Sequence, residues 1–237
     1  MRKRFQGIEL RKRGVRGLLR HLGLSAQVPQ YKSYRQNPQK LRRYLRRTFP
    51  PVVREARRTG AILYFVDEAA IRADAHRGTT WAPVGQPPVV EDSGDRFGLR
   101  LISAVSPRGD LKFATFEGRL TSRRFVDFLK KLRADTGKPI IVIADKASYH
   151  KEGLARHSQQ ATPEGIRVAL LPAYSPKLNP DEQVWNHRKA RLGKLFIQSK
   201  EQMKRLAKAT LLSIQRDIEW VLSFFELKDT QYAANAV

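Results

Sequence analysis

The sequence contains no cysteine among its 237 residues, and it has far fewer acidic than basic residues. The absence of cysteine excludes disulfide bonds, thiolate metal sites and cysteine nucleophiles. No apolar run approaches the roughly 20 residues of a membrane-spanning helix, and no apolar signal core follows the basic start of the chain. We therefore expect a cytoplasmic protein with no membrane partner.

The excess of basic residues is the strongest compositional signal. The chain has 46 lysines and arginines against 22 aspartates and glutamates, which gives a formal net charge of +24. Residues 1–60 hold 18 of the basic and 2 of the acidic residues, so this segment carries +16. Such a charge indicates a polyanionic partner, and the basic arm is the strongest candidate for binding its phosphates. A solvated arm without a partner is the alternative.

The basic segment predicts a short helical arm over residues 1–60. Val15, Leu18, Leu19 and Leu22 recur at helical spacing, but glycines interrupt the pattern. Residues 38–58 predict a second basic helix, interrupted at Pro50-Pro51. We interpret the arm as a partial helix-turn-helix module. Its candidate DNA-binding residues are Arg11, Lys12, Arg13, Arg16, Arg20, Arg42, Arg43, Arg46 and Arg47.

From Ala61 the pattern changes to strands that alternate with helices. Apolar runs predict strands at 61–66, 99–105, 111–116, 139–144 and 166–171. A helix is predicted after residue 121, with the apolar stripe Phe125, Phe128, Leu129 and Leu132, and further helices are predicted near 150–158 and from about Pro180. A last helix is predicted over 200–226, with Ser199 and Gln202 as a candidate capping pair and an apolar stripe that includes Ile218. This order predicts an α/β fold of the ribonuclease H-like kind, with a mixed sheet flanked by helices. We expect a catalytic domain over 61–198 and a C-terminal helix and tail over 199–237 that pack on it.

Three acidic residues are the candidate catalytic and metal-binding groups. Asp67 and Asp145 each end an apolar run, and Glu182 lies in a proline-rich loop. Adjacent first and fourth strands would bring the two aspartates together at one end of the sheet. Two Mg²⁺ or Mn²⁺ ions held by carboxylates at about 3.5–4 Å separation can clamp the oxygens of a phosphodiester displacement.

Each acid also has a simpler interpretation. Asp67 could form an Asx turn, and Asp145 could pair with Lys146. Glu182 could complete a helix cap that begins at Asn179. Among the neighbouring residues, Trp81 and Trp185 are more typical of packing than of base stacking, whereas His150, Tyr174 and Ser175 could contact DNA or be structural. Glu68 and Asp181 flank the candidate acids and could be mistaken for them.

The motifs together resemble a known family. Four segments are similar to motifs of the DDE transposases of bacterial insertion sequences, in the mariner-like superfamily. In chain order they are Asp67-Glu68, Arg77-Gly-Thr-Thr-Trp-Ala-Pro-Val-Gly85, Asp145-Lys-Ala-Ser-Tyr-His150 and Leu171-Pro-Ala-Tyr-Ser-Pro-Lys-Leu-Asn-Pro-Asp-Glu182, the last of which precedes Trp185. The resemblance implies that Asp67, Asp145 and Glu182 form the metal-binding triad. It also implies double-stranded DNA as the partner, DNA cleavage at element ends, strand transfer to target DNA, a homodimer in the active complex and an association with the nucleoid.

Two features depart from the family pattern. Lys146 occupies a position that is usually Asn or Gly, where it could compete with metal or contact DNA phosphate. Only about 60 residues precede the first strand, whereas relatives carry paired helix-turn-helix modules there. Two alternatives to a transposase therefore stay open: a ribonuclease H-like nuclease without strand transfer, and an inactive, truncated DNA-binding remnant.

Overall fold

The computed structural model describes residues 12–25, 37–72, 98–145, 165–185, 197 and 199–236. The chain divides into two compact units, Met1–Tyr34 and Arg35–Val237. In the first unit, helix α1 spans Lys12–His21. The motif at 77–85, the predicted helix near 150–158 and the residues Arg11, Lys146 and His150 lie outside the described residues.

A five-stranded mixed sheet forms the centre of the second unit. Its strands are β1 (Ile62–Arg72), β2 (Gly98–Val105), β3 (Leu111–Phe116), β4 (Ile140–Ala144) and β5 (Ile166–Leu170). Their spatial order is β3-β2-β1-β4-β5. The pairs β1–β2 and β2–β3 are antiparallel, whereas β1–β4 and β4–β5 are parallel. The predicted adjacency of the first and fourth strands is therefore confirmed.

Strand β1 is longer than its apolar run predicts. Its parallel pairing with β4 ends at Phe65 and Ile143, but its antiparallel pairing with β2 continues to Arg72. Beyond the apolar run, Ala69 and Ile71 remain buried while their neighbours Ala70 and Arg72 are exposed, as expected for a strand with one covered face. The expectation that Asp67 lies at a strand end is wrong, because this residue lies within β1.

The helices on one face include part of the predicted arm. Helix α2 (Pro38–Arg43), a π-helical turn (Tyr44–Thr48) and α3 (Phe49–Thr59) form a continuous helical path. The prolines Pro50 and Pro51 do not interrupt it, because they occupy the first turn of α3, where a backbone N–H is dispensable. Tyr44 and Phe49 are buried in the same hydrophobic cluster as the sheet. The predicted boundary at residue 60 stays a prediction, but the second half of the arm shares this core.

Helix α4 (Ser122–Thr136) covers the opposite face of the sheet. Thr121 caps its start by accepting a hydrogen bond from the backbone N–H of Arg124, and Gly137 ends it in a left-handed conformation with φ +65°. The predicted stripe is confirmed, since all four of its members are buried: Phe125, Phe128, Leu129 and Leu132.

The predicted C-terminal helix is two helices, α5 (Lys200–Arg216) and α6 (Ile218–Ser223). Ser199 caps α5 through the backbone N–H of Gln202, as predicted. The break occurs because Asp217 leaves the helical conformation and its side chain accepts a hydrogen bond from the backbone N–H of Trp220. Ile218, which the single-helix prediction placed on the apolar stripe, is 56% exposed.

Candidate functional site

The three candidate acids line one pocket. Asp67 comes from β1, Asp145 follows β4 directly, and Glu182 comes from the segment after β5. The pocket has a volume of about 470 Å³. Its lining consists of Asp67, Asp145, Leu171, Pro172, Ala173, Tyr174, Ser175, Pro176, Asn179 and Glu182. Three acids that are far apart in sequence therefore line one pocket beside the adjacent interior strands β1 and β4 of the sheet.

The surroundings of Asp67 oppose its negative charge. Burial, followed by the charge of Glu182, raises the pKa of Asp67 from 3.8 to about 8, and the charge of Asp145 acts in the same direction. The backbone N–H of Glu68 donates to Asp67 Oδ1 at 2.9 Å, and together with the Trp185 side chain it acts in the opposite direction. Glu182 and Asp145 therefore both disfavour the charged form of Asp67.

The loop that carries Glu182 is fastened to the core at several points. Leu178, Val184 and Trp185 are buried, which agrees with the packing interpretation of Trp185. The Leu178 carbonyl accepts a hydrogen bond from Tyr232 Oη at 2.9 Å. Between these anchors, Tyr174 has a left-handed backbone (φ +58°) and is 51% exposed at the pocket.

Asn179 has two roles in this loop. Its Oδ1 accepts a hydrogen bond from the backbone N–H of Asp181 at 3.2 Å, which is the local cap that the sequence predicts. Its Nδ2 donates to the Val66 carbonyl at 3.2 Å. The parallel pairing of β1 with β4 ends at Phe65. The Asn179 side chain then provides a hydrogen-bond partner for the next residue of β1, Val66, which precedes Asp67.

The two acids that flank the candidates lie in different environments. Asp181 is fully buried and does not line the pocket. Both of its carboxylate oxygens contact Ser103 Oγ, at 2.7 and 2.6 Å. Burial raises the pKa of Asp181 well above its usual range. Glu68 instead pairs with Arg100 at 3.1 Å. Sequence reasoning missed the contact to Ser103, and the only signal was that Ser103 lies in a predicted strand.

Among the described residues, no three acidic or histidine side chains lie close enough together to hold a metal ion in this conformation. The residue types nevertheless suit Mg²⁺ or Mn²⁺, because all three candidate ligands are carboxylates. A bound cation would favour the charged form of Asp67, which burial and the neighbouring acids disfavour in its absence.

The candidate DNA-binding residues of the arm are solvent-exposed wherever their side chains are described. These exposed residues are Arg16, Arg20, Arg42, Arg43, Arg46 and Arg47. The side chains of Lys12 and Arg13 lie outside the described part of the chain. None of the helices in the described ranges is both long and apolar enough to cross a membrane.

Comparisons with known proteins agree with this architecture. Residues 62–204 match a family described as DDE superfamily endonuclease, and residues 2–48 match one described as winged helix-turn helix. No curated protein sequence matches the chain.

Among solved structures, the chain is similar to the Mos1 strand transfer complex, with a TM-score of 0.61, 17% identity and coverage of 93% of this chain and 70% of that one. It is similar to the Mos1 mariner paired end complex with Mn, with a TM-score of 0.62, 16% identity and coverage of 94% and 71%. For the catalytic domain of Mos1 mariner transposase, the TM-score is 0.52 at 13% identity, with coverage of 86% and 98%. At these identities the likeness shows a shared fold, which confirms the predicted fold class.

Proposed function

Because the chain belongs to the DDE superfamily of endonucleases, we propose that it is a mariner-like transposase. In this proposal the protein cleaves DNA at the ends of an insertion sequence and joins the freed 3′ end to target DNA. The observation that carries the proposal is the convergence of Asp67, Asp145 and Glu182 on one pocket. The sequence of the loop from Tyr174 to Trp185 resembles the corresponding loop of these transposases, and this resemblance favours a transposase over a nuclease that only hydrolyses DNA.

We assign metal binding to the same three carboxylates. Asp67, Asp145 and Glu182 would hold Mg²⁺ or Mn²⁺, with two ions as the expected number. Such ions stabilise the negative charge that develops on the attacking and leaving oxygens of an in-line displacement. The chain itself contributes geometry: Asp67 lies on β1 and Asp145 directly follows the adjacent parallel strand β4, and the anchored loop brings Glu182 to the same pocket.

DNA binding is assigned to the basic N-terminal segment, with Lys146 as a further phosphate contact beside the site. The match of residues 2–48 to a winged helix-turn helix family supports this assignment, as does the high positive charge of residues 1–60. The similar Mos1 structures are paired-end complexes, and we therefore propose that the active species of this chain is a homodimer that holds two DNA ends.

Metal-dependent strand transfer tests the proposal. The substrate is a labelled duplex that carries the terminal repeat of the encoding element, incubated with target plasmid and Mn²⁺ or Mg²⁺. We expect joined product that chelator abolishes, and we expect Asp67→Asn, Asp145→Asn and Glu182→Gln each to abolish it while DNA affinity is retained. Glu68→Gln is the matched control, because this neighbouring acid pairs with Arg100 rather than lining the pocket.

The other possible results of this assay indicate a different activity of the protein. Cleavage without joining would identify a nuclease, and DNA binding without either reaction would identify an inactive remnant. Full activity of the Asp145→Asn variant would contradict the assignment of the three acids.

A further inference from the structure

The buried pair of Asp181 and Ser103 has no part in the chemistry proposed above. Asp181 is completely buried, yet it belongs to the loop that also carries an acid of the pocket. A buried carboxylate is costly unless it is held by hydrogen bonds, so its presence in a core otherwise rich in apolar side chains calls for a function.

The contacts of Asp181 connect three separate segments. Ser103 lies on β2, directly opposite Asp67 of β1 in the antiparallel register. Asp181 contacts the Ser103 hydroxyl with both of its carboxylate oxygens, at 2.7 and 2.6 Å. The residue that follows Asp181 is Glu182. Through Ser103, the buried Asp181 side chain therefore connects the strand pair that carries Asp67 to the loop that carries Glu182.

Asn179 provides a second connection of the same loop to the same strand pair. Its side chain bonds to the carbonyl of Val66, the residue before Asp67, and to the backbone N–H of Asp181. With both connections in place, the Glu182 backbone cannot move along or away from β1 without breaking a buried hydrogen bond, which is unfavourable because the separated groups would stay buried without a partner.

We propose that Asp181 and Ser103 are positioning residues that fix the separation of Asp67 and Glu182 for divalent metal binding. This inference rests on the proposed function, since it assumes that these two acids are metal ligands. Partners that orient ligands typically change metal affinity by about 10–100-fold when they are removed. Asp181 acts through the loop and Ser103 acts through Asp181, so the two should behave as one unit.

Calorimetric titration of the full-length protein with Mn²⁺, in the absence of DNA, tests the proposal without relying on activity. We expect Asp181→Ala and Ser103→Ala each to weaken Mn²⁺ binding about 10-fold or more. The double variant should bind no more weakly than the weaker single variant, because both changes remove the same contact. Asp181→Asn, which keeps a hydrogen-bonding side chain of the same shape, should stay within about 3-fold of the wild type, less than the loss expected from removing an orienting partner.

Ser106→Ala is the matched control for Ser103→Ala. Ser106 is an equally buried serine at the end of the same strand, but its hydroxyl bonds to the backbone N–H of Arg108 and not to the loop. We expect it to leave Mn²⁺ affinity unchanged. If Asp181→Ala fails to fold, Ser103→Ala measures the same contact from the other side.

Two results would overturn the inference. Unchanged Mn²⁺ affinity in Ser103→Ala and Asp181→Ala, with only a lower melting temperature, would show that the pair merely stabilises the fold. A loss in Asp181→Asn as large as in Glu182→Gln would show that Asp181 is itself a ligand. Failure of the proposed function looks different, because the wild-type protein would then bind no Mn²⁺ or bind it independently of Asp67 and Glu182.

Discussion

At the scale of single residues, Asp67 shows how a functional site can lower stability. Its pKa is raised from 3.8 to about 8 by burial, by Glu182 and by Asp145. A raised acid pKa means that the unfolded state releases its proton first as the pH increases. The contribution of this group to stability is therefore retained below about pH 4 and lost as the pH rises toward 8.

Replacing Asp67 with Asn should consequently stabilise the metal-free protein. In chelator near pH 7.5 we expect a gain of up to about 5 kcal/mol, because the pKa of Asp67 is raised from 3.8 to about 8 and one pKa unit corresponds to about 1.4 kcal/mol. The gain should shrink toward zero at pH 4. Thermal unfolding at several pH values measures it, and added Mn²⁺ should stabilise the wild type but not the variant. A gain that does not change with pH would contradict this account.

The sequence predicts some of these residues and not others, for a physical reason. Asp67 and Asp145 are visible because each follows an apolar run, and strand order then brings them together. The contact between Asp181 and Ser103 joins residues that are 78 positions apart. It depends on the register of β1 with β2 and on the path of the loop, neither of which a single sequence specifies.

At the scale of secondary-structure elements, the cap at the start of α5 contributes to the stability of the core. The helix places Met203, Ala207 and Leu211 in the core beside the sheet. Ser199→Ala removes its cap and should cost about 1 kcal/mol. That corresponds to a melting temperature roughly 2–4 °C lower for a protein of this size.

Ser213→Ala is the matched control for the cap, because Ser213 is an exposed serine inside the same helix. It should be neutral or slightly stabilising, since alanine has the higher helix propensity. An equal loss in both variants would show that the hydroxyl of Ser199 does not act as a cap.

The elements that the sequence predicts poorly are those in which a local interaction overrides periodicity. The apolar stripe continues past Asp217, but the side chain of this residue caps a new helix and divides the pattern in two. Similarly, the extension of β1 beyond residue 66 depends on pairing with β2, although its sequence is no longer continuously apolar.

At the scale of the whole molecule, the division of the chain changes how the DNA-binding segment should be tested. Residues 1–34 contain nine basic residues and one acidic residue, and they form a unit of their own. Deleting them should leave the second unit folded but reduce DNA affinity and its salt dependence. For every DNA phosphate that the shortened protein no longer binds, the slope of log K against log salt should fall by about 0.9.

A longer deletion should act differently. Removing residues 1–58 also removes Tyr44, Phe49, Val52 and Ala56, which are buried in the core of the second unit. We expect this protein to aggregate or fail to fold, because loss of one buried aromatic side chain alone costs about 3–5 kcal/mol. Circular dichroism and DNA titrations at several salt concentrations distinguish the two deletions, and a soluble, folded 59–237 fragment would contradict the prediction.

The C-terminal segment closes this same region of the core. Tyr232 packs edge-on against Phe49 with ring centroids 4.7 Å apart, and the Asn235 carbonyl accepts a hydrogen bond from the Arg57 side chain at 2.9 Å. During synthesis, residues 44–65 leave the ribosome long before their partners in 224–236 exist. The core of the second unit is therefore completed only after translation has passed Asn235.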